Sequence, residues 1–265
     1  MHKFSQVVNG KRATRFATDR LLNLSPLLSA LGLTLLVACS PNQAQQPVSA
    51  ATDAPAEPAD VALTAPAGRY TLDKSHASLT FSVNHLGYSW YTAQFAAFDA
   101  TLDFDPDNLA ASQLKASIDV SSITLPTPPE GFHTELMSAG WFDADRFPAM
   151  TFHSTNIKPT GPRTATLTGE LTLHGITRPL QLDVRINGGY AGMPGFDPQA
   201  RLGVSATGAL NRSEFGIAAG IPPAGSNLGV SDQATFAIEA EFIGPPLAGS
   251  AESGSDTNGR MLRNE

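Results

Sequence analysis

Phe98-Asp99-Ala100-Thr101-Leu102-Asp103-Phe104-Asp105 alternates apolar and polar side chains without a break. Successive residues of a strand point to opposite faces, so Phe98, Ala100, Leu102 and Phe104 share a dry face while the acids and Thr101 meet water. The same period recurs on either side. Leu79, Phe81 and Val83 alternate with Thr80, Ser82 and Asn84; Leu114, Ala116, Ile118 and Val120 alternate with Lys115, Ser117 and Asp119. Farther on, Leu167, Leu171 and Leu173 face Thr166, Thr168, Glu170 and Thr172, and Leu180, Leu182, Val184 and Ile186 face Gln181, Asp183 and Arg185. Leu202, Val204 and Ala206, then Phe236, Ile238 and Phe242, complete the series.

Turn signals separate these runs at Asp105-Pro106-Asp107-Asn108, Lys158-Pro159-Thr160-Gly161-Pro162, His174-Gly175 and Asn187-Gly188-Gly189. One short helix is expected, around Phe132 to Ala139. About eight amphipathic antiparallel strands have one face to hide, and a barrel or a sandwich does so. Two features favour the barrel. The dry faces hold many small residues (Ala100, Ala116, Gly169, Ala206, Gly208), which pack a sandwich thinly but leave a lumen in a closed sheet. In addition, 93–105 reads as one strand of about 40 Å at ~3.3 Å per residue, long for a sandwich.

The chain ends read differently. Residues 1–38 carry Lys3, Lys11, Arg12, Arg15 and Arg20 against Asp19, followed by a short, interrupted apolar stretch from Leu21 to Ala38. That is the pattern of an export signal rather than of a permanent membrane span. Leu36-Val37-Ala38-Cys39 resembles a bacterial lipobox, in which the cysteine becomes the lipidated first residue. Acyl chains contribute ~0.8 kcal/mol per buried methylene, so such an anchor is effectively permanent. Cys39 is the single cysteine, which excludes an intramolecular disulfide. Ser40 after the cysteine, by likeness to known lipoproteins, favours the outer over the inner membrane, on the periplasmic face of the envelope.

Cleavage after residue 38 takes five basic and one acidic side chain from the 17 Lys+Arg and 24 Asp+Glu, leaving 12 and 23 and a net charge near −11. Nucleic acid is a poor partner for such a surface. Residues 39–67, rich in Ala, Pro, Gln, Ser and Thr, bury too little to offset ordering and read as a disordered linker; 244–265 reads as a disordered tail. The folded domain is expected over 68–243.

Within that domain several segments resemble the YceI-like family of bacterial periplasmic lipid-binding barrels. They are Tyr70-Thr71-Leu72-Asp73-Lys74-Ser75-His76, His85-Leu86-Gly87-Tyr88-Ser89-Trp90, Phe147-Pro148-Ala149-Met150-Thr151-Phe152, 169–180 (GELTLHGITRPL) and Arg212-Ser213-Glu214-Phe215-Gly216-Ile217. They keep the family's order and span nearly all of the domain. The resemblance implies an all-β fold, an extended antiparallel eight-stranded barrel, lipocalin-like, with one short helix. It implies binding of a polyisoprenoid or quinone-like lipid and no established chemistry. One segment departs. Where the family has a charged helix of the form H-x-x-R-D-x-H-L, this chain has Gly131-Phe132-His133-Thr134-Glu135-Leu136-Met137, preceded by a Pro-rich lip at Leu125 to Pro129. The head group accepted here therefore need not follow the family.

The candidate lining is the inward set Phe81, Val83, Phe98, Leu102, Ile118, Leu171, Leu182, Val204, Phe236 and Ile238. The alternative is that these side chains fill the barrel by packing on one another. His85, Tyr88 and Trp90, at a strand end, read either as an amphipathic rim or as a structural corner turning at Gly87. Arg212 reads either as a partner for a quinone carbonyl or phosphate, or as a surface ion pair with Glu214 or Asp232.

Catalysis finds little support. No G-x-S-x-G elbow, P-loop or H-E-x-x-H occurs. His76, His85, His133, His153 and His174 are dispersed, with His153 and His174 at ordinary solvent positions, so no metal and no cofactor is expected. An enzyme acting on a bound quinone needs a polar cluster inside the barrel that the alternation does not supply. The remaining reading from another class is a non-catalytic envelope interaction module with a filled core, acting through the loops at 189–199 and 218–229. A homodimer is compatible with the sequence.

Overall fold

His174 and Gly175 both adopt positive φ, 52° and 73°, which is what a two-residue hairpin turn requires. They join β7 (Thr164–Leu173) to β8 (Ile176–Tyr190), and Leu173 faces Ile176 across the turn. This hairpin belongs to a sheet of ten strands in the computed structural model, which describes residues 63–247. The export signal, Cys39, most of the linker and most of the tail lie outside the described residues.

The other strands are β1 (Gly68–His85), β2 (Ser89–Phe95), β3 (Phe98–Phe104), β4 (Gln113–Asp119), β5 (Ile123–Thr124), β6 (Ala149–Pro159), β9 (Gln199–Asn211) and β10 (Val230–Pro246). Every ladder is antiparallel. Eight strands, in the order β10-β9-β8-β7-β6-β4-β3-β1, close into a ring because β10 pairs with β1 as well as with β9. A closed ring leaves those strands no free edge. The eight-stranded, all-β barrel expected from the sequence is the fold observed, with one short helix, α1 (Phe132–Met137).

β1 is long enough to serve two neighbours. Its first residues pair with β3 (Gly68 to Phe104, Thr71 to Thr101) and its last with β2 (Leu79 to Phe95, His85 to Ser89). The stretch 93–105 is thus not one strand. It breaks at Ala96–Ala97, where Ala96 N–H donates to Ser122 O (3.0 Å) and Asp119 N–H donates to Ala97 O (3.0 Å). A one-turn 3-10 segment (Val120–Ser122) breaks the next strand at the same level, so β4 and β5 part as β3 and β2 do. The upper end, at the β1–β2 turn, is completed by α1 and the segment 138–148.

Three further expectations are corrected. Asn187-Gly188-Gly189 is not a turn: β8 runs through it, with a bulge between Ile186 and Gly188. The inward phase slips there by one, from Ile186 to the buried Gly189. Residues 63–67, read as linker, are docked on the barrel: Thr64 N–H donates to Gly189 O (2.8 Å) and Ala65 is buried. At the other boundary β10 continues to Pro246, into the segment read as tail.

Candidate functional site

The ring encloses two packed clusters. The upper one contains Ile118, Val120, Phe152, Leu167, Leu171, Leu182, Phe215 and Ile217, with Leu136 of α1 buried against it. The lower one is a plug around Tyr70, Phe104, Ala200, Leu202 and Phe242. Tyr70 is fully buried, meets Phe104 edge-on (centroids 5.8 Å apart), and donates its hydroxyl to Pro66 O at 2.8 Å. Burial pushes its phenol up to about 12.

Between the clusters lies a belt of inward side chains that are only half-buried. Val204 sits between buried Leu202 and Ala206 on β9, Val184 between Leu182 and Ile186 on β8, and Phe236 and Ile238 between Ala234 and Ala240 on β10. Leu79 and Phe81 face Ile238 and Phe236 across the β1–β10 ladder. Phe98, Leu114 and Ala116 touch both clusters. Hydrocarbon left uncovered in the belt costs about 25 cal/mol per Å² relative to burial against an apolar partner.

The sequence-derived lining divides along this line. Phe81, Phe98, Val204, Phe236 and Ile238 stand in the belt. Ile118, Leu171 and Leu182 are packed in the upper cluster, Leu102 in the lower one, and Val83 is buried near the top of β1. Ala77, Leu79, Leu114, Ala116 and Val184 also stand in the belt, each in the alternation phase of the expected lining on its strand. Small residues do not all leave space: the Phe152 ring lies over Gly169, and the Phe236 ring over Gly208. No buried polar residue opens onto the belt. Among the described residues these are Ser112, Asp143 and Arg212, at the barrel's ends.

At the upper end Leu86 (φ 57°) and Gly87 (φ 75°) turn β1 into β2. Gly87 N–H donates to Asn84 Oδ1 at 2.8 Å, and its Cα faces Asn227 so closely that a Cβ would sit 3.2 Å from the asparagine Cβ. The corner is structural, and His85, Tyr88 and Trp90 are nevertheless exposed on it. Arg212 takes neither setting foreseen for it. It is buried, and its guanidinium donates to three backbone carbonyls, Ser231 (3.0 Å), Ala219 (3.1 Å) and Val230 (3.1 Å). The same group lies 5.7 Å from the Trp141 ring. Asp232 meanwhile accepts from Ser213 N–H and Oγ–H. Burial lowers the Arg212 pKa, with the Asp232 charge opposing.

His174 is likewise not at an ordinary solvent position. Its Nδ1 is 3.0 Å from Phe215 O, its ring meets Phe147 edge-on, and its Nε2 is buried without a partner. Among the described residues, Asp73, His76 and Glu241 bring ligand-type atoms within 4.8 Å of one another at the bulge of β1. Arg201 Nη1 already lies 2.6 Å from Asp73 Oδ2, so the chain supplies the cation there itself.

Hydrogen bonds from the side chains of Ser75 and then His76 hold the Asp73 carboxyl well below the usual carboxylate range. The reciprocal bond to Asp73, and then the Glu241 charge, raise His76. A raised histidine favours the folded chain below its ordinary pKa, and that contribution fades as pH climbs through the raised value. Proton NMR of the His76 ring should give a midpoint above about 6.5 that falls back in Asp73→Asn. An unmoved midpoint would contradict the assignment.

Comparison with known proteins adds the following. A model of the YceI-like domain matches residues 70–242. The chain is 34% identical to Protein YceI of Salmonella arizonae over 165 residues, which is 61% of this chain and 82% of that one. It superposes on the crystal structure of the Campylobacter jejuni YceI protein with a TM-score of 0.52 and 29% identity, over 66% of this chain and 98% of that one. A polyisoprenoid-binding domain from Saccharophagus degradans has the same fold, with a TM-score of 0.50, 12% identity and the same two coverages.

Proposed function

This chain belongs to the YceI-like family, and from that premise we propose that its barrel holds the hydrocarbon tail of an isoprenoid lipid of the quinone or polyprenyl type. The belt carries the reading: half-buried apolar side chains on the inner face of a closed ring, with no buried polar residue among the described residues opening onto them. Such a surface offers an apolar tail removal from water and offers a reacting group nothing to work with. The reading is therefore of a carrier or reservoir rather than an enzyme. The Saccharophagus degradans neighbour, named for polyisoprenoid binding, contributes the shared fold. The pattern of residues 1–39 supports the rest of the proposal, a lipoprotein tethered through Cys39 on the periplasmic side of the envelope, at the outer membrane.

Quinones of increasing prenyl length provide the test. Each isoprene unit brings a gross gain on the order of 3 kcal/mol, reduced by the ordering of a flexible chain. Affinity should climb with length and level off when the belt is full, and Ile238→Trp should bring the plateau to shorter chains. Equal affinity across the series, together with empty organic extracts of natively expressed protein, would instead support a filled barrel acting through its loops.

A further inference from the structure

Three stretches that meet at the upper end contain no charged side chain: 86–98, 120–129 and 215–231. Leu86 N–H donates to Gly229 O (2.8 Å), Tyr91 donates its hydroxyl to Pro126 O (3.2 Å), and β2 pairs with β5. These contacts knit the three into one rim. From it Tyr88, Leu228 and Trp90 project, 81%, 73% and 59% exposed. The lower end is charged, with Asp103, Asp105 and Asp107 at the β3–β4 connection and Asp73, Asp197 and Arg201 beside it. The described chain also begins and ends there, where Leu63 bridges Gly189 and Leu247 N–H donates to Pro198 O.

We propose that the uncharged rim is a bilayer-docking surface, with Tyr88, Trp90 and Leu228 entering the boundary between headgroups and acyl chains of a phospholipid membrane. The charge distribution selects the occupant. A chain of net charge −7 is repelled by an anionic membrane surface wherever it shows its own acids, and on a zwitterionic one those acids still lose hydration on entering the interface. Along these three stretches the upper end shows none, while Glu130, Glu135 and Asp145 stand exposed on its α1 side. Tyr and Trp suit the interface because each joins an apolar ring to one hydrogen-bonding group, and Leu228 adds an exposed aliphatic side chain. Docking here would bring the barrel's end to the phase in which a prenyl lipid is dissolved. It requires no lipid in the belt, so it stands or falls separately from the carrier reading.

The full-length chain, mixed with phosphatidylcholine vesicles containing brominated acyl chains, reports on the rim through its two tryptophans. Trp141 is packed between Phe132 and Arg212, so bromine should quench Trp90 emission and the quenching should vanish in Trp90→Phe. In the double variant Tyr88→Asp, Leu228→Asp, with Trp90 kept as reporter and folding checked by circular dichroism, the affinity of the quenched state should drop at least about tenfold. Vesicles that recruit the chain without quenching Trp90 would overturn the proposal. So would an absence of vesicle binding, or equal quenching in the Asp variant.

Discussion

Replacing Tyr70 by alanine is expected to lower the unfolding free energy by about 3–5 kcal/mol, the range for deleting a fully buried aromatic side chain. The ring sits at the centre of the lower plug, edge-on to Phe104 and against the backbone of Gly244. Gly244 has no side chain to fill the vacated space, and Phe104 is fixed on the neighbouring strand β3, opposite Gly68. Tyr70→Phe keeps the ring and loses only the bond to Pro66 O, so its cost should be about 1 kcal/mol. Urea unfolding of both variants separates packing from hydrogen bonding, and near-equal losses would refute the division. The plug is also the floor of the belt above it. If Tyr70→Ala remains folded, it should accept a longer prenyl chain than the natural protein before affinity levels off.

The second large effect concerns Arg212. A buried carbonyl left without a donor costs about 1–3 kcal/mol, and Arg212 serves three part-buried ones, each at the lower end of that range. Arg212→Met should therefore destabilise by ~3 kcal/mol or more. Arg212→Lys should recover only a minor part, because a single ammonium restores the charge and not the planar fork that reaches Ser231, Ala219 and Val230 together. The same change should loosen the 216–229 loop, raising amide exchange at Val230, whose N–H donates to Gly220 O. Full rescue by lysine would mean that the positive charge matters there rather than the fork.

The barrel was legible from the sequence because its information is local. A period of two marks each strand, and the paired turn residues at 174–175 fix a hairpin in register. The breaks were legible in principle and misread. In β2 the buried side chains are Ala93 and Phe95, in β3 Ala100 and Leu102; the phase changes between them, and an uninterrupted strand cannot change phase. The same slip at Asn187–Gly189 reads as a turn in the sequence because glycines signal both turns and bulges. Cross-strand facts were out of reach. Nothing near Gly169 or Gly208 in the chain announces that a phenyl ring lies over each, since Phe152 and Phe236 arrive from neighbouring strands. Arg212 was beyond reach for the same reason: its acceptors are placed by a loop and a strand that follow it. The division of the lining into belt and packed clusters depends on three-dimensional filling, which alternation does not encode.

The upper wall of the barrel is joined differently from the rest. Among the described residues β5 pairs with β2 and with no other strand, so beyond Ala149 the circuit is completed by α1 and 138–148. That patch is held chiefly by hydrocarbon: Leu136 buried, Phe142 edge-on to Phe95, and Phe147 against Gly175. Swinging it outward would leave the strand ladders intact and cost the Val120 N–H bond to Pro148 O, the His133 Nε2 contact with Ser121 O and the Trp141 contact with Arg212. The barrel thus has a stitched side and a glued side, and an apolar medium weakens the glue while sparing the stitches.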